Sequence, residues 1–284
     1  MGDGAHTDGT IPEDELVAIL HAVAQSPDFR VRAVEVAGQR VWIKRYDTEP
    51  LALAKRLHGF VSPLLLPTFL RNSAPAIGPA GVARESAKIA RFRAAGLRTP
   101  AILYQNGSLM IQSDVAPTLW ERVAGLDAPS QRHLLLKVFE ALGEVHRAGL
   151  VHGRPHLRDM SLGGDEVCFF DFEEEPEAVM PSADAQARDL VLLMLPVAAL
   201  EPDIETQRDC LQAWMKGAPV AAIRSLIRML RFCGPVIWIL RVVPASLQGS
   251  DLRRFIAGSR FLVASISDMD SVIAKREQGA GLNG

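Results

Sequence analysis

LVHGRPHLRD at residues 150–159 and CFFDFE at residues 168–173 say more about the architecture of this protein than any other part of its sequence. The stretch between them contains Gly163-Gly164, which predicts a short β-hairpin. A hairpin brings its two ends together, so Asp159 and Asp171 are expected to converge. Carboxylate oxygens are ligands that Mg²⁺ prefers, and these positions therefore predict a metal–phosphate site.

A site of this kind also needs a cation that neutralises phosphate charge. Lys44, in the strand-like run VWIKRY (41–46), is the candidate. Residues of two kinds, apolar and polar, alternate in this run and in RVRAVEVAG (30–38), and a glycine separates the two runs. This pattern predicts that they pair as an antiparallel hairpin. The helix VARESAKIARFRAA (82–95) carries Glu85, which could orient Lys44. Taken alone, Lys44 could be a solvated strand residue and Glu85 a surface residue. The presence of Glu85 as a partner and the apolar residues beside Lys44 favour a role for this lysine in binding phosphate.

Periodicity and turn residues predict the remaining elements. We expect a helix over 13–24, paired strands around Asn106-Gly107, and a long helix from Ser130, as its N-cap, to Ala148. Beyond Ala183 the chain predicts helices broken at five prolines: Pro196, Pro202, Pro219, Pro235 and Pro244. This order indicates an α+β protein.

Composition excludes several classes of protein. The 284 residues are 48% apolar and 23% charged, and the net charge of -2 argues against a protein that coats nucleic acid. The three cysteines have no C-x-x-C spacing, which favours a reduced, cytoplasmic setting. Residues 1–10 do not resemble a signal peptide, and the longest apolar stretches are too short to cross a bilayer. We therefore expect a soluble or peripheral protein.

The chain resembles the protein-kinase superfamily, and more narrowly the bacterial lipopolysaccharide kinases and related small-molecule kinases. Five motifs in order carry this resemblance: VWIK, RESAKIARFRAAGLRTPAIL, LGEVHRAGLVHGRPHLRD, CFFDFE and ARDLVLLM. The resemblance implies a two-lobed protein-kinase-like fold with an antiparallel-sheet N-lobe and a mostly helical C-lobe. The N-lobe would span residues 1–112, with an apolar, exposed insertion at 47–80. The C-lobe would span 113–278, before a disordered tail at 279–284.

The same resemblance implies ATP and Mg²⁺ as cofactors and assigns a role to each site residue. Lys44 would bind phosphates with Glu85 as its partner, and Gln112 and Asp114 would contribute to nucleotide binding. The metal ligands would be Asp159 and Asp171. In the catalytic loop we expect Arg154, Asp159 and His152 as catalytic residues, with His152 also bracing the loop and Asp189 tying it down.

Two departures from the family pattern concern activity. The family has an aspartate two residues after His152, where this chain has Arg154, and an asparagine where it has Asp159. Aspartate keeps an oxygen ligand, while Arg154 could either contact phosphoryl oxygens bidentately or mark a pseudokinase. In addition, no G-x-G-x-x-G loop precedes Lys44.

Three functions stay open at this point. The first is a kinase acting on a hydroxyl of a glycolipid or another non-protein acceptor, because the short segment EEEPEAVMPSADA (173–185) contains no A-P-E platform for peptides. The second is a pseudokinase scaffold that binds a nucleotide or a partner. The third is nucleotidyl transfer.

Other charged residues have more ordinary interpretations. We interpret His156 as structural and Glu173–Glu175 as a solvated face, with a second metal contact as the alternative. Between Lys216 and Arg260, eight basic residues oppose one acidic residue. This predicts a solvated face, or else a peripheral contact with an anionic inner membrane supported by Leu64–Leu66 and Phe69.

Overall fold

The computed structural model describes residues 11–25, 29–36, 38–47, 71, 73–74, 76–198, 200, 202–240 and 258–281. They form a small lobe built on a β-sheet and a larger helical lobe. Within these ranges, no helix is long and apolar enough to cross a membrane.

The N-terminal lobe is a four-stranded antiparallel sheet between two helices. Its strands, in the sheet order β1-β2-β4-β3, are β1 (Val31–Val36), β2 (Gln39–Arg45), β3 (Ile102–Asn106) and β4 (Leu109–Ser113). Helices α1 (Glu13–Gln25) and α2 (Pro79–Ala94) pack on opposite faces. Because side chains alternate along a strand, Ile43 lies among the residues that pack with α1, whereas Lys44 reaches α2.

The C-terminal lobe is helical apart from one hairpin. Its helices are α3 (Leu119–Val123), α4 (Ala128–Arg147), α5 (Ser182–Ala198), α6 (Ile204–Gly217), α7 (Val220–Leu240) and α8 (Ile266–Gly281). Residues 258–264 are also helical. The hairpin consists of β5 (Met160–Gly163) and β6 (Glu166–Phe169). Helices α4 and α6 approach so closely that a Cβ on Gly143 would lie 2.7 Å from the carbonyl oxygen of Trp214, which explains the glycine there.

The predicted α+β, two-lobed architecture and its hairpins are confirmed, and several element boundaries are corrected. Helix α4 begins at Ala128, because the carboxylate of Asp127 accepts the backbone N–H of Ser130 and serves as the N-cap. Pro196 and Pro235 lie inside α5 and α7 and do not break them. A proline inside a helix costs about 3 kcal/mol, and around Pro196 the burial of the α5 side chains in the core offsets this cost.

The ends of the predicted insertion and tail also differ from the expectation. Helix α2 begins at Pro79, inside the predicted insertion 47–80, and α8 continues to Gly281, inside the predicted tail. Most of the insertion, including Leu64–Leu66 and Phe69, and Pro244 lie outside the described residues.

Candidate functional site

The lysine, glutamate and aspartate predicted to meet do so between the two lobes. The Nζ atom of Lys44, on β2, lies 2.8 Å from Oε1 of Glu85, on α2. It also lies 2.9 Å from Oδ1 of Asp171, which follows β6. One ammonium group therefore joins the sheet, helix α2 and the hairpin of the larger lobe.

Electrostatics keeps Lys44 and Asp171 charged. Burial alone would lower the pKa of Lys44, but the carboxylates of Glu85 and Asp171 outweigh it and hold this pKa well above its ordinary value. Burial opposes ionisation of Asp171 as well, yet Lys44 and Arg154 lower the pKa of Asp171 to about 2. The backbone of Asp171 has a φ of 67°, a left-handed conformation that non-glycine residues rarely adopt. Such strain is typical of residues held in place at functional sites.

Gln112 and Asp114, the residues predicted to bind nucleotide, lie at and just beyond the end of β4. The side-chain amide of Gln112 donates to Glu85 Oε1 at 3.0 Å, and the hydroxyl of Tyr46 donates to Glu85 Oε2. Asp114, just beyond β4, accepts the indole N–H of Trp42 at 2.7 Å. Gln112 and Asp114 thus lie at the boundary of the lobes, and their contact with a nucleotide stays a prediction.

The two candidate metal ligands are brought together by the β5–β6 hairpin. Asp159 directly precedes β5, and the backbone N–H of Phe170, just before Asp171, donates to the Asp159 carbonyl at 3.1 Å. Burial and the charge of Asp171 raise the pKa of Asp159 to about 7. Two carboxylates that repel each other in this way fit a divalent cation, because Mg²⁺ uses one or two carboxylates together with water and phosphate oxygens. No cluster of three or more metal-binding side chains occurs in the part of the chain that the structure describes.

The loop at residues 150–159 is held in place by Asp189, as predicted. The Asp189 carboxylate is fully buried and accepts the backbone N–H groups of His152, at 2.7 Å, and Gly153, at 3.0 Å. Burial lowers the pKa of His152 to about 4, so its imidazole is neutral and its Nε2 donates to the Phe170 carbonyl at 3.1 Å. His152 is therefore placed as a brace between the loop and the strand that leads to Asp171.

Sequence reasoning missed Lys88. Its side chain is 1% exposed, and its ammonium donates to the carbonyl oxygens of His152 and Glu174 at 3.0 and 2.6 Å. Burial lowers the pKa of Lys88, and the charge of Glu177 partly opposes this. A lysine three residues after Glu85, on the same face of α2, was the available signal.

The interpretation of Glu173–Glu175 as a solvated face is wrong. Their side chains are only 26–31% exposed, and each one forms an ion pair with an arginine. Glu174 binds Arg188 at 2.8 Å, Glu175 lies 3.4 Å from Arg84 and 3.5 Å from Arg91, and Glu173 pairs with Arg30. The segment after Asp171 is thus pinned to α2 and α5, because burying these carboxylates requires opposite charges nearby.

Arg154 and His156 lie on the open side of the loop. The Arg154 side chain is 58% exposed, and its Nε lies 3.9 Å from Glu174 Oε1, a loose contact that leaves it able to reorient. The ring of His156 packs 5.7 Å from that of Trp120, and its Nδ1 accepts the backbone N–H of Arg158 at 3.0 Å. His156 is thus placed in a structural role, as interpreted.

The basic stretch of the large lobe is largely neutralised where it is described. Arg228 and Arg231 lie 3.2 and 2.9 Å from the carboxylates of Asp184 and Asp270, and Arg224 pairs with Glu277. All three arginine side chains are more than half exposed, as expected for a solvated face. The residues Arg241, Arg253 and Arg254 lie outside the described part.

Comparisons with known proteins give distant matches. No protein-family model matches the sequence. A bifunctional tRNA threonylcarbamoyladenosine biosynthesis protein of Methanothermobacter thermautotrophicus is 30% identical over 91 residues, 31% of this chain and 16% of that protein. The chain therefore spans about a sixth of the length of that relative.

Similar solved structures include WaaP in complex with acyl carrier protein, which is 18% identical with a TM-score of 0.44, over 74% of this chain and 82% of WaaP. The ADP-bound aminoglycoside phosphotransferase APH(2'')-Ib is 11% identical, with a TM-score of 0.38, over 88% and 99% of the two chains. Rv3197 from Mycobacterium tuberculosis, in complex with erythromycin, is 16% identical, with a TM-score of 0.36, over 82% and 70%. Similarities this weak add nothing about function.

The chain's own geometry identifies the fold. A strand lysine paired with a helix glutamate, and an aspartate after a hairpin in the second lobe, are the parts with which protein kinases position a nucleotide. Here Lys44, Glu85 and Asp171 occupy those places. The chain has a two-lobed, protein-kinase-like fold, so the resemblance is confirmed at the level of the superfamily.

Proposed function

We propose that this protein is a Mg²⁺- and nucleotide-dependent phosphotransferase that phosphorylates a hydroxyl group of a non-protein acceptor. The observation that carries the proposal is the Lys44 ammonium held 2.8 Å from Glu85 and 2.9 Å from Asp171. This arrangement concentrates one phosphate-binding cation and a metal-binding carboxylate at a single point. An inactive relative has no need to keep both groups aligned.

Each group has a role that its surroundings support. Lys44 would bind nucleotide phosphates while Glu85 keeps its ammonium in place. Asp159 and Asp171 would hold Mg²⁺, which supplies charge neutralisation for the phosphate oxygens when it is bound. Burial raises the pKa of Asp159 and repulsion from Asp171 adds to this rise, and a cation between the two carboxylates would relieve that repulsion. His152 and Asp189 keep the loop in shape and do not contact the reacting atoms.

Arg154 is an exposed basic residue whose charge acts on both candidate metal ligands. A guanidinium can bind phosphoryl oxygens bidentately, and in a loose transition state this charge stabilisation matters more than a general base. We assign Arg154 this role.

The segment after Asp171 favours a small or lipid-linked acceptor. Glu174 and Glu175 are fixed by ion pairs with helix side chains, Glu173 pairs with Arg30, and only a short helical turn (Pro176–Ala178) precedes α5. This leaves little surface on which a peptide could lie. A glycolipid or similar metabolite is the acceptor class we propose.

A pseudokinase scaffold is the second candidate, favoured by Arg154 at the position of the expected catalytic aspartate. Calorimetric titration with ATP, with and without Mg²⁺, separates the two when it is followed by an acceptor screen. We expect Mg²⁺-dependent ATP binding that Asp171→Asn and Lys44→Met each weaken, and phosphate transfer to an envelope glycolipid. Binding without transfer to any acceptor class would favour the scaffold, and failure of ATP to bind under either condition would contradict the proposal.

A further inference from the structure

A second cavity, of about 540 Å³, shares no lining residue with the Lys44, Glu85 and Asp171 site. Its walls are the β1–β2 turn, the start of β3, the segment that follows β4, and the β5–β6 hairpin. Cavities of roughly 300–1,000 Å³ are the usual size for small-molecule sites. The cavity is therefore large enough for a ligand bigger than a simple ion.

The charge of this cavity is strongly one-sided. Three arginines contribute to its lining, Arg40, Arg93 and Arg98, against one carboxylate, that of Asp114. Asp114 already accepts hydrogen bonds from the Trp42 indole and from the backbone N–H of Ala116. An excess of guanidinium charge in a concave site attracts anions.

Two of the arginines are held in place by contacts that leave donors free. Arg93 donates to the Thr99 hydroxyl at 2.9 Å and to the Pro100 carbonyl at 2.7 Å. Arg98 donates to the Gly163 carbonyl at 2.8 Å. A guanidinium carries five N–H donors, so these contacts orient the two side chains without exhausting them.

Gly163 allows the Arg98 side chain to lie against the β5–β6 hairpin. A Cβ at this position would lie 2.7 Å from Cζ of Arg98, so the guanidinium rests directly on the glycine backbone. Arg98 also has a weak ion pair, 3.5 Å from the carboxylate of Glu166, whose side chain is 69% exposed. An exposed pair of this kind contributes little, and it does not neutralise the cavity.

The cavity joins the two lobes. Arg40 belongs to β2 of the sheet, whereas the carbonyl oxygen of Arg98 accepts the backbone N–H of Phe169 at 2.9 Å, at the end of β6. Strand β6 leads directly to Asp171. A ligand in this cavity would therefore contact both lobes and the strand that positions a metal ligand, without reaching the reacting atoms.

We propose that this cavity binds a phosphorylated small molecule of about the size of a sugar phosphate, with its phosphate on the guanidinium groups of Arg40, Arg93 and Arg98. Phosphate offers three acceptor oxygens and matches the planar fork of arginine. The remaining volume accommodates the organic part, beside the hydroxyls of Thr99 and Ser161. Apart from Asp114, a predicted nucleotide contact at its edge, the cavity is lined by residues outside the proposed nucleotide site, and binding there does not depend on phosphotransfer.

The test is calorimetric titration with glucose 6-phosphate, inorganic phosphate and glucose, in the absence of nucleotide and Mg²⁺. We expect one molecule of glucose 6-phosphate to bind per chain and glucose not to bind. Arg40→Ala and Arg98→Ala should each weaken binding about 10- to 100-fold, as for a lost charge-assisted hydrogen bond. Arg132→Ala, which removes an arginine paired with Asp209 elsewhere on the surface, and Asp171→Asn should leave binding unchanged.

Because Arg98 also supports β6, the exposed Arg40 decides the result if Arg98→Ala fails to fold. Binding that persists in Arg40→Ala but disappears in Asp171→Asn would place the ligand in the nucleotide site and overturn the proposal. Failure of all three probes to bind, or equal binding of glucose, would overturn it too. If inorganic phosphate binds as tightly as glucose 6-phosphate, the assignment to a sugar phosphate is wrong.

Discussion

The ammonium of Lys88 lies 3.0 Å from the carbonyl oxygen of His152 and donates a hydrogen bond to it inside the protein. The same ammonium donates to the carbonyl of Glu174 at 2.6 Å. Lys88 sits one turn of α2 beyond Glu85, the partner of Lys44. One helix therefore positions Lys44, the loop that contains His152 and the segment after Asp171 together.

Replacing Lys88 with methionine should reduce both stability and activity. Methionine keeps most of the volume but leaves two carbonyls without a donor, at a cost of about 1–3 kcal/mol each. Removing a desolvated charge offsets part of this. Misplacement of the loop by about 1 Å can lower a rate about 100-fold, so we expect kcat to fall at least tenfold while KM for the nucleotide changes little. Steady-state kinetics and thermal unfolding measure the two effects.

Lys137→Met is the matched control, because Lys137 pairs with Asp165 on the surface. We expect its kcat to match that of the unsubstituted protein. Equal kcat for Lys88→Met and Lys137→Met would show that Lys88 only fills space in the core.

Gly153 should tolerate no side chain. Its φ is 110°, and a Cβ there would lie 2.7 Å from the Glu174 carbonyl oxygen. Gly149→Ala is the control, because Gly149 also has a positive φ, 75°, but has no atom within 4 Å of the added Cβ. Backbone strain of this kind costs about 1–3 kcal/mol, and only Gly153→Ala adds a clash. We expect denaturant unfolding to show a larger loss of stability for Gly153→Ala than for Gly149→Ala, and equal losses would contradict the close contact.

Sequence reasoning succeeded where a role depends on local chemistry at fixed spacing. Lys44, Glu85 and Asp171 each stand in a recognisable motif, and the structure brings them together. It failed where a role depends on contacts between distant segments. Lys88 was missed because its acceptor in Glu174 lies 86 residues away. The interpretation of Glu173–Glu175 as a solvated face failed for the same reason, since no local pattern reveals arginine partners in other segments.

The predicted helix boundaries were wrong for a different reason. Asp127 competes with Ser130 as the N-cap of α4, and both are good capping residues. Pro196 should end α5 by its missing N–H, but burial in the core outweighs this local preference. Tertiary packing decides such cases, and a single sequence does not contain it in readable form.

Two of the three cysteines should resist alkylation in the native protein. Burial raises the pKa of the Cys168 thiol to about 11 and that of Cys210 to about 12, and it also raises the pKa of the half-buried Cys233. The thiolate is the reactive form, so a raised pKa means less reaction at pH 8 and a rise in rate towards higher pH. Mass spectrometry after treatment with iodoacetamide should show Cys233 modified first and all three modified in denaturant. Cys168 reacting as fast as Cys233 would contradict its burial.

Arg154 provides the sharpest prediction about catalysis. Its side chain is 58% exposed, and its charge helps Lys44 to lower the pKa of Asp171. If it contacts the transferring phosphoryl group, Arg154→Ala should lower kcat about 10- to 100-fold, the value of one or two charge-assisted hydrogen bonds. The nucleotide dissociation constant should change less, because the contact strengthens in the transition state. Single-turnover kinetics and calorimetry separate these quantities.

Arg154→Lys and Arg154→Asp complete the test. Lysine keeps the charge but loses the bidentate fork, so we expect a kcat between those of the unsubstituted protein and Arg154→Ala. Aspartate supplies the general base that the kinase resemblance expects, an effect of about 10²–10⁴-fold where it operates. A large gain of activity in Arg154→Asp would show that the natural chain lacks a working base and that Arg154 silences the site. A loss in all three variants would instead establish the guanidinium as the group that this site uses in place of the base.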